Sequence, residues 1–285
     1  MKLLKFFSQE KCLDTILLNL LGFQAARYLT GKIFFSIKLF LFPIKKGNVN
    51  KFNNVLNRGY DEIKNFLPQQ DFSEIKKEFF QAVKDNSKDE EQVETKSKKD
   101  GIEYKTLYVD DNLKNKYPKI YNFKYHPLIN EYFSTCEQKK NFHLFCRLEK
   151  IKVIDEKIDD PNKDYHYDTF HNTFKCWLFI DKVETHEGPF RYLPYSNRFS
   201  IKRFFFEWKL SLLFSFKKDV NASFRVDKKF KKKLDKESIS MDVEENTLVM
   251  ANTHGLHRRG DARIGSTRYA IQFWTRENPF KIILN

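Results

Sequence analysis

The chain is poor in cysteine, with four in 285 residues. Cys12, Cys136, Cys146 and Cys176 form no CxxC pair, and no cleavable secretory leader with a small-residue exit precedes them. A disulfide framework and a zinc ribbon are therefore not expected, and a reduced, cytoplasmic setting fits best. Cys176 lies within an apolar run and reads as a small core side chain. Long apolar runs are also lacking. The longest uncharged stretch, Thr15 to Ala26, covers 12 residues, against the roughly 20 that a bilayer-spanning helix needs. No internal repeat is present, and dense charge of one sign is confined to "KKFKKK" at Lys228–Lys233.

What is there is enough to fold. With 41% hydrophobic and 16% aromatic residues, the chain can bury a real core, which excludes global disorder. The formal net charge of +14 admits nucleic acid, an anionic membrane or an acidic substrate as partner. Yet the basic residues are scattered, and Lys, Asn, Ile, Phe and Tyr are abundant together, as under A+T-rich codon usage. A nucleic-acid footprint would cluster on one stripe, so no nucleic-acid partner is expected.

Residues 1–50 read as an apolar, basic helical extension. Helices packed on the main domain are the first reading. Peripheral contact with a membrane surface through residues 1–46 is the second. Residues 51–285 read as the main domain. After the extended "YDEIKNFL", Pro68 breaks the chain, and a helix from about Asp71 carries Phe72, Ile75, Phe79 and Val83 on one face. The charged stretch 84–100 lacks periodicity and reads as a surface loop. From Asn141 on, "NFHLFCRLEKIKVI", "TFKCWLFIDKV", "PFRYLPYS", "NTLVMANT" and "RYAIQFWTR" are short extended runs of an antiparallel sandwich or barrel. An insertion over 197–236 carries "RFFFEWKLSLLFSF", a helix covering the sheets or the mouth of a site.

Chemistry concentrates in "YHYDTFHN". If this is the end of a strand, His166 and Asp168 project from one face, because side chains alternate. Far downstream, "NTHGLHRRG" offers His254 and His257 just after a strand. Two histidines and one carboxylate on separate strands, with positions left open, suit the facial triad of non-haem iron oxygenases. Either His254 or His257 could complete it. His171, three residues after Asp168, reads as a neighbour of the site or a substrate-facing residue. Arg268, on "TRYAIQFW", shares a face with Ala270 and Gln272, and a guanidinium inside a barrel calls for a carboxylate. Arg263 is the alternative clamp.

In these elements the chain resembles the phytanoyl-CoA dioxygenase family of Fe(II)- and 2-oxoglutarate-dependent oxygenases. The matching pieces are "GYDEIKNFLPQQDFSEIKKEF", "HYD" at His166–Asp168, Trp177, "GPFRYLPYSN" at Gly188–Asn197, and His257 with Arg268. They span roughly Gly59 to Arg276. The resemblance implies an α+β, mainly β fold, with a double-stranded β-helix (jelly-roll, cupin-like) core. It assigns His166, Asp168 and His257 to iron, Arg268 to the distal carboxylate of 2-oxoglutarate, and Trp177 to the cosubstrate pocket. The family's spacing favours His257 over His254 and Arg268 over Arg263. Three positions depart from its pattern: Tyr167 stands where Gln is common, "PYSN" replaces "PGSH", and Arg259 replaces a frequent Ser.

The implied reaction is hydroxylation of an organic substrate at the expense of Fe(II), 2-oxoglutarate and O2, releasing succinate and CO2. Related halogenases lack the carboxylate that Asp168 retains. The expected partner is a small molecule, with Arg191, Arg258, Arg259 and Lys202 hinting at an anionic one and the apolar N-terminus at a lipid-linked one. The contrasting reading is a non-catalytic jelly-roll protein that binds a metal or ligand.

Overall fold

The computed structural model describes residues 3–13, 15–41, 51–85, 101–155, 160–217 and 224–281. The expected loop 84–100 lies outside the described residues from 86 onward, as do 42–50 of the extension and 218–223 of the insertion. The helices are α1 (Ile16–Leu20), α2 (Phe23–Leu41), α3 (Asn53–Asn57), α4 (Gln69–Asp85), α5 (Pro118–Phe123), α6 (Pro127–Glu137), α7 (Ile201–Lys217) and α8 (Lys231–Glu237). The strands are β1 (Tyr60–Ile63), β2 (Ile102–Tyr108), β3 (Phe145–Val153), β4 (His166–Tyr167), β5 (Phe174–Phe179), β6 (Phe190–Tyr192), β7 (Phe224–Arg225), β8 (Ile239–Met241), β9 (Thr247–Asn252), β10 (His257–Arg259) and β11 (Thr267–Trp274).

These strands form two antiparallel sheets, ordered β1-β9-β5-β11-β3-β2 and β7-β4-β10-β6-β8. The architecture is the expected double-stranded β-helix. Alternation divides the large sheet between two cores. Phe174, Cys176 and Leu178 of β5, with Leu248, Met250, Ile271 and Phe273, face Phe72, Ile75 and Phe79 of α4 and Ile129, Tyr132 and Phe133 of α6. Trp177, Phe179, Val249, Ala251 and Ala270 point the other way, onto Phe190, Tyr192 and Met241 of the small sheet. Each large apolar side chain buried in this way contributes roughly 1.5–3 kcal/mol. Cys136, Cys146 and Cys176 are free thiols inside the core.

The expected helix after Pro68 is α4, which buries Phe72, Ile75, Phe79 and Ala82. Residues 101–140, which carried no sequence expectation, supply edge strand β2 and helices α5 and α6. Both helices begin with proline in the first turn, where its missing N–H costs nothing.

The insertion helix α7 lies on the outer face of the small sheet, where Phe206 and Leu210 pack on a cluster of Tyr165, Tyr167, Phe224 and Leu256. The N-terminal helices continue that layer. Trp208 Nε1 donates to Asn19 O (2.8 Å), and Asn19 Nδ2 donates to Ser215 Oγ (2.7 Å). Gly22, at φ +77°, lets the chain turn against the Trp208 indole; a Cβ there would sit 3.5 Å from it.

Candidate metal site

The register of β4 on β10 sets His166 directly opposite His257. Residues paired in this way project to the same face, and the two imidazole centroids lie 4.4 Å apart. Asp168 stands just beyond β4, fixed by its N–H to Thr253 O (3.1 Å). Its Oδ1 is 3.7 Å from His257 Nε2 and 4.0 Å from His166 Nε2. One potential ligand atom from each of the three residues falls within 4.8 Å of the others.

The tautomers follow from the partners. His166 Nδ1 donates to Asp164 O (2.8 Å) and His257 Nδ1 to Gly255 O (2.9 Å), so both Nε2 lone pairs face Asp168. Burial and the neighbouring imidazole push His166 down to about 3, and burial lowers His257 as well. Both rings are therefore neutral at neutral pH, the form a metal requires. Burial alone would raise the Asp168 carboxyl; Lys175, the two imidazoles and Lys11 outweigh it and hold the group well below the usual range. Asp168 Oδ2 lies 2.7 Å from Lys175 Nζ but outside good hydrogen-bond geometry, leaving the oxygen without a directed partner. Two free imidazole nitrogens and an under-satisfied carboxylate are the donor set a divalent cation would fit.

The turn between β9 and β10 depends on Gly255. A Cβ there would meet the Tyr192 hydroxyl at 1.8 Å, because that hydroxyl fills the space while donating to Asn252 O. His254, in the same turn, points elsewhere. It stacks on Tyr28 (5.6 Å) and its Nδ1 lies 3.1 Å from Arg203. The geometry thus places His257, not His254, beside His166 and Asp168.

Arg268 enters the space between the sheets and donates to Gly188 O (2.8 Å), whereas Arg263 is exposed. The Arg268 guanidinium is enclosed by protein, while the residue as a whole is half-buried. Burial, with Arg259 nearby, lowers it to about 10, so it stays cationic at neutral pH. The interior acids near it are already held, Glu149 by Arg147 (2.5 Å) and Tyr104 (2.5 Å) and Asp160 by Arg259. Among the described residues Arg268 has no ion pair of its own. Trp177 lines the same interior, 5.1 Å from Phe190.

Of the basic residues expected near a mouth, Arg191 and Arg258 lie on the outer face of the small sheet and bind Asp235 of α8. Arg259 faces inward but pairs with buried Asp160. Alternation along β6 and β10 explains the difference, since Arg191 and Arg258 sit opposite one another, out of phase with His257. Lys202 is exposed and lines a cleft of about 780 Å³ beside α7, floored by Tyr167, Phe206 and Leu256. These residues lend no support to an anionic substrate at the triad. The cations that do act on Asp168 are Lys175 and Lys11.

Two residues were not singled out from the sequence. Lys175 shares strand parity with Trp177, and that parity was the available signal. Arg203 of α7 had none. Its guanidinium stacks 3.5 Å over the Tyr167 ring, donates to Thr169 O (3.2 Å) and His254 O (2.5 Å), and pairs with buried Glu207 (3.2 Å). It thereby joins the segment after Asp168 to the turn before His257. The same segment rests on α2: Arg27 lies 4.1 Å over Phe170, Gly31 abuts His171, and Lys32 Nζ donates to Asn172 Oδ1 (2.8 Å). His171 faces this helix and bonds its own neighbour's carbonyl through Nδ1.

Comparison with known proteins places the fold. No protein-family model matches the chain, and no curated protein matches it. Among solved structures it is similar to the epimerase SnoN in complex with Fe3+, alpha ketoglutarate and nogalamycin RO. There the TM-score is 0.54 at 10% identity, over 81% of this chain and 84% of that one. It is also similar to EctD from S. alaskensis with bound Fe, with a TM-score of 0.50 at 12% identity, over 83% and 81% of the two chains. At such identities the likeness is one of fold, and function rests on the site.

Proposed function

We propose that this protein is an Fe(II)- and 2-oxoglutarate-dependent oxygenase that hydroxylates a small organic substrate, in keeping with its resemblance to the phytanoyl-CoA dioxygenase family. The observation that carries this reading is the convergence of His166, Asp168 and His257 between the sheets, with both Nε2 lone pairs free. His166, Asp168 and His257 would hold the iron. Arg268 would receive the distal carboxylate of 2-oxoglutarate, as a cation with no ion pair of its own among the described residues, and Trp177 would wall the same interior. The names of SnoN and EctD, which include Fe and ketoglutarate in one case and Fe in the other, accord with this assignment.

When bound, iron and 2-oxoglutarate supply the oxidising chemistry, consuming O2 and yielding succinate, CO2 and the hydroxylated product. The protein's own part is narrower. Asp164 and Gly255 carbonyls fix the imidazole tautomers, burial keeps the rings neutral, and the apolar walls Phe190 and Trp177 exclude water. Retention of a carboxylate at 168 favours hydroxylation over chemistry that needs that position vacant. Purified protein should release succinate from 2-oxoglutarate only with Fe(II). Arg268→Met should raise the 2-oxoglutarate KM roughly 10- to 150-fold, the equivalent of losing charged hydrogen bonds of about 1.5–3 kcal/mol. An unchanged KM would remove Arg268 from the cosubstrate site.

A second reading, a non-catalytic jelly-roll binding protein, draws on the Lys175 ammonium beside Asp168. There an internal cation stands where a metal's charge would otherwise be needed. That reading forbids succinate release under any condition.

A further inference from the structure

The helical layer carries an exposed apolar surface that the proposed chemistry does not use. On α2, Leu29, Ile33, Ile37 and Phe40 recur at helical spacing on the side away from buried Gln24, Arg27, Tyr28 and Gly31. Phe40 is 84% exposed. On α7, Ile201, Phe205, Leu213 and Phe216 form a second stripe, with Phe205 and Phe216 at 57% and 67% exposed. Leu17 and Leu20 of α1, and Leu21 just after it, are exposed as well, and α1 joins the layer through Asn19 and Trp208. A shallow groove lined by Leu29, Ile33, Ile37, Phe40 and Phe199 carries the α2 stripe to the start of α7. Monomeric soluble proteins rarely leave so much contiguous apolar surface uncovered.

The charges say what covers it. α1 and α2 hold no acidic residue, and the one in α7, Glu207, is fully buried against Arg203. The charged side chains exposed on the α7 stripe are cations, Lys202 and Lys209, with exposed Arg198 beside the helix, while the nearby exposed acid, Asp227, lies off the helix toward Lys209. Large aliphatic and phenylalanine side chains interspersed with lysine, with no acidic residue exposed on α1, α2 or α7 themselves, match the headgroup region of an anionic bilayer. No helix among the described residues is long and apolar enough to cross a membrane. We infer that α1, α2 and α7 together form a face that lies on the surface of an anionic membrane. The face therefore reaches beyond the N-terminal segment to the insertion helix, and the inference does not depend on the oxygenase reading.

Co-flotation of the full chain with vesicles tests it, comparing phosphatidylcholine alone with phosphatidylcholine mixed with phosphatidylserine. The expected result is binding to the mixed vesicles at least tenfold tighter than to the neutral ones, weakened by salt. Ile37→Glu/Phe40→Glu and Phe205→Glu/Phe216→Glu should each lower it tenfold or more. These positions are exposed, so unchanged melting curves would certify the variants as folded. Absence of flotation, or flotation indifferent to both variants, would overturn the inference. So would a dimer in light scattering that the same variants dissociate, since a second copy of the chain would then be the occupant.

Discussion

Asp168→Ala abolishes Fe(II)-dependent succinate release, with a loss exceeding the about 10- to 100-fold that removal of an outer-shell partner costs. Asp168 supplies the only carboxylate among the three residues brought together, and its charge offsets that of a divalent ion between two neutral imidazoles. The variant should stay folded, because Lys175, left without its carboxylate, is about a quarter exposed and can turn to water. Isothermal titration with Co(II) as a probe separates binding from turnover: affinity should fall in Asp168→Ala and persist in Lys175→Met. If Asp168→Ala binds Co(II) and turns over like the parent, the carboxylate is no ligand.

Arg203→Met produces the second large effect, and on two separate quantities. Removing the guanidinium strands Glu207, which is fully buried, at a cost of about 3–5 kcal/mol. It also severs the ties to Thr169 O and His254 O, which hold the two ligand-bearing segments together across α7. Arg203→Met/Glu207→Leu should recover most of the lost stability, because the stranded charge is gone. The ties are not restored, so Co(II) affinity should remain about 10- to 100-fold below the parent. Arg203→Lys should behave similarly for the metal, since one ammonium cannot reproduce a planar fork bonded on several sides. Parental affinity in the stabilised double variant would show that Arg203 serves the fold alone.

The contrast between these two residues shows what the sequence could reveal. His166 and Asp168 are two apart at a strand end, and strand parity alone put them on one face. The residue pattern alone left the third member open between His254 and His257; the resemblance favoured His257, and the β10 register sets His257 opposite His166. The inward face of Arg268 followed from alternation along its strand, while Trp177 was singled out by the resemblance alone, and both side chains enter the space between the sheets. Arg203 was not, since its partners lie 34 and 51 residues away and meet it only through the packing of an insertion. Arg191 and Arg258 show the limit from the other side: their basic character was plain, but a three-residue strand fixes which face they take, and both turn outward to Asp235. The helices over 118–137 were missed because short amphipathic segments announce themselves mainly through caps, here prolines at the first turn. The N-terminal segment was legible as apolar and basic, whereas its use of Arg27, Gly31 and Lys32 to brace the loop after Asp168 is a matter of tertiary contact.

The most direct test of the central claim is an anaerobic titration of the purified protein with Fe(II) and then 2-oxoglutarate, followed by visible absorption. Joint binding at the triad predicts a metal-to-ligand charge-transfer band that appears only with both components and is lost in His257→Ala but kept in His254→Ala, provided the latter remains folded. A well-folded parent that gives no band, or a band that survives His257→Ala, would contradict the account.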